Sequence, residues 1–536
     1  MKRILVIMAS LLLTAALSAQ DKADYRTVPL PESIKMTGKA PFVLNSGTTV
    51  AVPAGDEKLL RDGRFLAEYA AETTGLQLQV STGKKKNAIN LVIDKKIPNS
   101  EGYVIDVNAK GITVSGKTAA GVFYGIQTLR KSLPVGKSVT SVEFPSVKIT
   151  DQPRFAYRGM MLDCGRHFFP ISFIKKYIDL LALHGMNVFH WHLTEDQGWR
   201  IEIKKYPALT EKGSQRDQTV LGRNSSVYDG TPYGGFYTQD QAREIVKYAA
   251  DRFITVIPEI DMPGHMLAAL ASYPNLGCTG GPYKVGQSWG VFPDVLCLGN
   301  PEVYTFAKDV LDEIFAIFPS KYIHIGGDET PTERWAKCPK CQKVMKDNNL
   351  TLNTLQGYFT NRIEKYIESK GRVMIGWDEI LGGQPDKSAV VMSWRGAAPG
   401  EKAAKLGHDV IMSPTDNNYF DYYQTKDVQN EPLLIGGYIP IEKTYAFEPF
   451  ADPSAKEANS HIIGVQANLW SEYITCPELA EYQVLPRMAA LCEVQWMQPQ
   501  AKNFQDFKGR SIKMKELYDA YGLTYAKFLW AEPKKE

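Results

Sequence analysis

The chain has little net charge, no long basic run and, beyond its first twenty residues, no apolar stretch long enough to span a bilayer. A balance of +3 over 536 residues gives nucleic acid or an anionic membrane nothing to hold, and Lys84-Lys85-Lys86 reads as a solvated turn. A second C-x-x-C is also missing. Cys338-Pro339-Lys340-Cys341 therefore lacks the further ligands that zinc would need and reads as a small surface disulfide ahead of a metal or redox role. Cys278 and Cys297 flank a Gly-containing loop and offer another pairing, and seven cysteines leave at least one without an intramolecular partner. Residues 21–150 contain no His and no cluster of acids, which points to scaffolding rather than chemistry. What is present is ordinary for a protein with a sizeable core: 44% of residues are apolar.

The first segment is set apart from the fold. Lys2-Arg3 form a basic start, Ile4 to Leu17 an apolar core, and the small residues around Ser18-Ala19 suit cleavage. Residues 1–20 are expected to be a secretory signal. No Cys directly follows the apolar core, so a lipid anchor is not expected. The mature protein is expected in a bacterial periplasm or outside the cell.

Two grammars follow. Residues 21–150 carry alternating segments (Ile89–Ile93, Tyr103–Val107, Gly111–Ser115) and two amphipathic stretches, Lys58–Thr74 and Ala119–Ser132, closed by Gly75 and Pro134. They predict a small α+β domain. From about residue 151, short apolar runs alternate with helical periods, as in parallel strands joined by crossover helices. Eight strands are predicted: Arg158–Asp163, Met186–Leu193, Thr255–Ile260, Tyr322–Gly327, Arg372–Trp377, Ala389–Trp394, Asp409–Ser413 and Gly464–Trp470. Between them, Ser172–His184 ends at Gly185, Thr238 and Gln241 form a capping box, and Asn353–Lys370 ends at Gly371. The pattern fits a (β/α)8 TIM barrel over 151–500, preceded by the α+β domain and followed by a helical tail, 501–536, packed on the barrel.

Chemistry in such a barrel sits at the carboxyl ends of the strands. Those ends carry Asp163 and Arg166; His190, His192 and Asp196; Glu259, Asp261 and His265; Asp328 and Glu329; Trp377, Asp378 and Glu379; Trp394; Tyr419 and Asp421; Trp470 and Glu472. Asp328 and Glu329 stand out, since they end a buried run behind the pair Gly326-Gly327. Adjacent carboxyls cannot both ionise easily, so one is expected to keep a proton, which a glycosidic oxygen needs in order to leave. The Gly pair is read as room for a ligand. Aromatic rings cover the flat faces of sugars, while acids and Arg bind their hydroxyls. Two imidazoles on one strand face, His190 and His192, also suit a metal, but a metal barrel wants more His at later strand ends, and His324 lies deeper. A His paired with a carboxylate to tune the acid is more economical, with His265 and Asp196 as candidates. Tyr228, Tyr233 and Trp289, on the long loops 207–237 and 273–299, are candidates for outer sugar contacts.

At these residues the chain resembles family 20 glycoside hydrolases, the β-N-acetylhexosaminidases. The matching segments are Arg158-Gly159-Met160-Met161-Leu162-Asp163 with Arg166-His167-Phe168, His190 to Arg200, Pro258 to His265, His324-Ile325-Gly326-Gly327-Asp328-Glu329, Tyr419-Phe420-Asp421 and Asn468-Leu469-Trp470-Ser471-Glu472. The resemblance implies an exo-acting retaining enzyme that removes terminal GlcNAc or GalNAc without an enzyme nucleophile: the substrate's acetamido oxygen attacks C1 and forms an oxazolinium. It implies Glu329 as acid and base, with Asp328 holding the acetamido N–H and favouring, as an anion, a proton on Glu329. Tyr419 would donate to the acetamido oxygen. Arg166, Asp421 and Glu472 would grip hydroxyls, Trp377, Trp394 and Trp470 would enclose the sugar, and Asp196, His265 and His324 would support. No cofactor and no metal are assigned; the partner is a glycan. A non-catalytic glycan-binding protein on the same fold is the alternative.

Overall fold

The computed structural model describes residues 21–531 apart from 137, 451 and 453. The expected secretory signal lies outside the described residues. Among those described, no helix is long and apolar enough to cross a membrane.

A closed barrel of eight parallel strands forms the larger part. Its strands are β1 (Tyr157–Asp163), β2 (Val188–His192), β3 (Thr255–Glu259), β4 (Tyr322–His324), β5 (Val373–Trp377), β6 (Val390–Ser393), β7 (Val410–Met412) and β8 (Ile462–Ala467). Nearly every residue in them is buried, because helices cover the outside and side chains fill the inside. The barrel closes where Tyr157 pairs with Gly464 and Met160 with Ala467. β4 is shorter than its apolar run suggests. Gly326 and Gly327 turn to φ values of 65° and 95°, which ends the extended backbone before the acids.

Local signals set the crossover helices. Ile171–Leu183 ends where Gly185 takes φ 71°. Gln239–Ala250 starts in a complete capping box: Thr238 Oγ1 accepts from Gln241 N at 3.2 Å, and Gln241 Oε1 accepts from Thr238 N at 2.9 Å. Between β5 and β6 the chain has room only for a 3-10 helix, Asp378–Gly383.

Ahead of the barrel, a seven-stranded mixed sheet covers Ser33–Met36 to Val147–Asp151, with helices Glu57–Thr74 and Ala119–Ser132 against it. Arg158, at the start of β1, ties the two units. Its guanidinium donates to both oxygens of Glu101 at 2.8 and 2.9 Å and to Tyr124 OH at 2.9 Å. Helix Phe504–Ala520 returns along the barrel, where Arg510 pairs with buried Glu493 and donates to Thr27 O at 2.8 Å.

The cysteine expectations need correction. All seven carry free thiols, and Cys278 and Cys297 do not pair with each other. The loop holding them folds back onto the Cys338–Cys341 turn, so the two sets that looked separate in the sequence meet in space.

Candidate active site

At the carboxyl end of the barrel lies a cavity of about 190 Å³, room for one substituted pyranose ring. Arg166, Asp328, Glu329, Trp377, Trp394, Tyr419, Asp421, Trp470 and Glu472 all line it, brought together from six strand ends. Thr415, Tyr422 and Ile435 line it too and were missed. Thr415 and Tyr422 flank the Tyr419 segment and gave no chemical signal of their own.

The acid pair hangs on a strained turn. Gly326 N–H points to His324 Nδ1 at 3.0 Å, and Gly327 N donates to Asp261 Oδ1 at 3.0 Å. A Cβ on Gly326 would lie 1.8 Å from that same oxygen. The space left by the Gly pair is therefore taken by Asp261, with Ile380 facing Gly327, and not by a ligand as the sequence suggested. Glu329 itself sits at φ 40°, a conformation that costs a non-glycine residue about 1–3 kcal/mol. The surrounding hydrogen bonds hold it there, and the result is an acid aimed into the cavity with 43% of its side chain exposed.

His265 organises both acids. Its Nε2 lies 3.8 Å from Asp328 Oδ2 and 3.7 Å from Glu329 Oε2. On its other side, Nδ1 lies 3.1 Å from both Asp196 Oδ2 and Glu195 Oε2. Asp196 Oδ1 in turn accepts from Leu267 N at 2.9 Å. Burial opposes a charge on His265, but Glu195, Asp196 and Glu329 outweigh it and raise its pKa well above the usual imidazole value. Burial raises the Asp328 carboxyl, aided by Glu259 and Glu329 and opposed by His265. The facing imidazole of His265 lowers Glu329, with burial opposing and Arg166 adding. Burial thus moves the Asp328 carboxyl upward while the facing imidazole moves Glu329 downward, so the adjacent acids shift in opposite directions. His265, expected with Asp196 to tune the acid, faces both carboxyls, and its pull on Glu329 runs against the expectation that Asp328 favours a proton there.

Glu195 is the residue that sequence reasoning passed over most costly. Besides His265, it binds Arg166 Nη2 at 2.7 Å, so it joins the acid pair to the opposite wall. Its place beside Asp196 was the available signal. The Arg166 guanidinium also lies 5.0 Å from the Trp470 ring centre.

The aromatic residues divide by depth. Trp377 is almost fully buried and donates from Nε1 to Glu259 Oε1 at 2.8 Å, forming the floor. Trp394 and Trp470 are half-buried walls. Trp394 Nε1 donates to Glu379 Oε2 at 2.9 Å, and its ring stacks at 24° to that of Tyr419. Burial raises Glu379 to about 7, with Asp328 adding and Trp394 opposing. Asp421 is raised well above the carboxylate range by burial and then by Glu472. Asp328 Oδ1 and Asp421 Oδ1 are buried without a hydrogen-bond donor among the described residues.

His324 is not brought into the cavity. It lies beneath Trp377, with Nδ1 3.1 Å from Glu259 Oε1. His190 Nε2 and His192 Nδ1 reach Glu259 Oε2 at 2.9 and 2.5 Å, so the paired imidazoles of β2 serve this buried acid. Of the loop aromatics, Tyr233 and Trp289 pack around His167 and Arg216, while Tyr228 is exposed.

Comparison with known proteins gives one answer. Residues 155–499 match the glycosyl hydrolase family 20 catalytic domain, and residues 24–152 match domain 2 of the same family. A beta-hexosaminidase of Porphyromonas gingivalis is 44% identical over 93% of this chain, which spans 64% of that relative's length. Among solved structures, a family 20 exo β-N-acetylglucosaminidase from Vibrio harveyi, in complex with N-acetylglucosamine, is 32% identical with a TM-score of 0.84, covering 95% of this chain and 80% of that one. A family 20 β-N-acetylhexosaminidase from Streptomyces coelicolor A3(2) is also 32% identical, with a TM-score of 0.82 over 95% of this chain and 98% of that one.

Proposed function

Because the chain belongs to glycosyl hydrolase family 20, we propose that it is an exo-acting, retaining β-N-acetylhexosaminidase that cleaves terminal GlcNAc or GalNAc with help from the substrate's own acetamide. One observation carries the reading. Asp328 Oδ1 is a buried acceptor without a donor, in a cavity that also holds the phenol of Tyr419 and the acid Glu329. An acetamido N–H fits the first, its carbonyl oxygen the second, and a glycosidic oxygen the third.

In this reading the sugar lies on Trp377 between Trp394 and Trp470. Arg166, Asp421 and Glu472 take its hydroxyls. Asp328 accepts the acetamido N–H, which turns the carbonyl oxygen toward C1. Orientation of this kind converts a weak nucleophile into an effective one. As C1 becomes positive, Asp328 is stabilised as an anion. Glu329 gives a proton to the departing oxygen, then takes one from the water that opens the oxazolinium. The lowered pKa of Glu329 in the open cavity runs against the acid role, so substrate binding has to raise it. Covering an exposed carboxylate with a sugar removes its water and favours the neutral form, and the charged His265 is close enough to share its proton.

The test uses two substrates on the full chain. Nitrophenyl β-GlcNAc should be hydrolysed, with product first formed in the β configuration. Nitrophenyl β-glucoside, which lacks the acetamide, should be inert. Equal hydrolysis of both would sink the acetamide mechanism. Binding of GlcNAc without hydrolysis would favour the glycan-binding alternative.

A further inference from the structure

Beside the active site, Cys278, Cys297, Cys338 and Cys341 bring four sulfurs together, all within 4.8 Å of one another. The closest approaches are 3.6 Å between Cys297 and Cys338, 3.7 Å between Cys297 and Cys341, and 3.9 Å between Cys278 and Cys341. A zinc ion held by four thiolates at about 2.3 Å places its sulfurs roughly 3.8 Å apart at the corners of a tetrahedron. The three contacts bracket that edge. Three of the cysteines are buried and Cys278 is half-buried, which suits a closed structural site rather than an open catalytic one.

The backbone is shaped for the same centre. Cys338 caps the helix Pro339–Asp347, and Cys341 lies in its first turn, so both sulfurs face one side of a helix start. That end of a helix favours thiolate. The facing segment needs Gly299: a Cβ there would meet Lys340 C at 2.1 Å and Cys341 N at 2.3 Å. Only glycine lets the strand of chain behind Cys297 press onto the Cys338–Cys341 turn. Cys297 then contacts two sulfurs at once, which a pairwise disulfide scheme does not call for and a shared metal does.

We propose that these four cysteines bind one structural zinc ion as a tetrathiolate. The four thiols release four protons and the metal keeps its oxidation state, so no oxidant is involved. The ion joins two loops that carry the active site. One follows Asp328 and Glu329 through Trp335, whose Nε1 donates to Leu296 O at 2.9 Å, and Arg334, which pairs with Asp294 at 2.7 Å. The other runs from His265, where Leu296 N donates to Pro263 O at 3.0 Å. Zinc thereby holds the acid pair against the imidazole that governs it.

Metal content is measured on the full chain, purified without a metal-affinity step, by elemental mass spectrometry, with intact mass and thiol titration alongside. The expected result is about one zinc per chain, released as a mercurial titrates the four thiols. Cobalt exchanged into the protein should show the charge-transfer and d–d bands of a tetrahedral tetrathiolate. Cys338→Ser and Cys297→Ser should lose the metal, while Cys476→Ser, outside the cluster, keeps it. If the cluster variants fail to fold, stripping wild type with a chelator and adding zinc back should raise its thermal midpoint. An intact mass four hydrogens light, with two disulfides and no metal, would overturn the proposal. So would four free thiols that take up neither zinc nor cobalt. None of these readouts depends on hydrolysis of any glycoside.

Discussion

Two acid clusters sit at different depths of the same barrel and are wired in opposite ways. Beneath the floor, Glu259 has both oxygens taken, Oε1 by Trp377 Nε1 and Oε2 by His192 Nδ1, with His190 and His324 within 3.1 Å beside them. Burial opposes its charge, but His192, His324 and His190 hold it well below the usual range. In the cavity above, Asp328 and Asp421 each keep a buried oxygen with no donor among the described residues, and both are raised. A satisfied buried charge is framework. An unsatisfied one is a cost that folding alone does not repay, and a ligand does. The same residue type thus builds the barrel in one place and waits for a sugar in the other.

The contrast is broken most severely at Glu329. Glu329→Gln keeps the shape of the acid and removes its proton transfer, so kcat on a GlcNAc disaccharide should fall by about 10²–10⁴-fold. The loss should be much smaller for a dinitrophenyl glycoside, whose leaving group departs without protonation. Uniform loss across both substrates, or none, would remove Glu329 from the acid role.

At Glu259 the damage should be to the fold. Glu259→Ala leaves the His192 imidazole and the Trp377 indole N–H buried without their acceptor and removes the carboxylate beside His190 and His324, a loss of about 3–5 kcal/mol in denaturant unfolding. The sign with pH follows from its depressed pKa. The stability it contributes is present above the unfolded value of about 4.3 and is lost as pH falls through the folded one. The gap between wild type and variant should therefore close in acid. A variant as stable as wild type at neutral pH would show that this hub is not framework.

Much of this was legible in the sequence because both fold and site follow simple periods. Short apolar runs between helical repeats identify parallel strands, and a polar residue just past each run identifies the rim; Trp377, Tyr419 and Trp470 were found that way. The helix starting at Thr238 announced itself through its capping box. What was not legible depends on chain direction at one residue or on distant segments meeting. Asp328 and Glu329 look like a pair that repels itself, but both face His265, whose imidazole pulls Glu329 down while burial pushes Asp328 up. Glu259 reads as one more rim acid, since nothing local says that three imidazoles converge on it. The cysteine cluster draws on three stretches between Cys278 and Cys341, and only the close approach at Gly299 completes it.

A gentler test of the comparison is Asp421→Asn. Asp421 is raised in the folded protein, so the folded state binds its proton more tightly than the unfolded chain does. Its favourable contribution is full below the unfolded value of about 3.9 and is lost as pH rises through the folded one. The amide has no such loss. Its thermal midpoint should gain on wild type as pH rises above about 4, while affinity for GlcNAc falls. A midpoint difference that ignores pH would mean Asp421 is already satisfied in the folded protein.

The smallest effect is expected at Trp394, where wall and acid meet. Trp394→Phe keeps an aromatic face for the sugar and removes the Nε1 hydrogen bond to Glu379. One such bond is worth about 0.5–1.5 kcal/mol, so KM should rise a few-fold to roughly tenfold while kcat stays near wild type. The pH profile separates this from simple misplacement of a ring. Glu379 titrates at about 7, and the indole N–H favours its anion. Without that N–H the carboxyl holds its proton to higher pH, and the inflection in KM attributable to Glu379 should move upward. Loss of the wall alone would change KM equally at all pH values. An upward shift therefore places Glu379 between the two classes: a cavity-edge acid raised by burial and Asp328 whose one hydrogen bond from the wall holds it down, in contrast to Glu259, which burial raises and several imidazoles hold low.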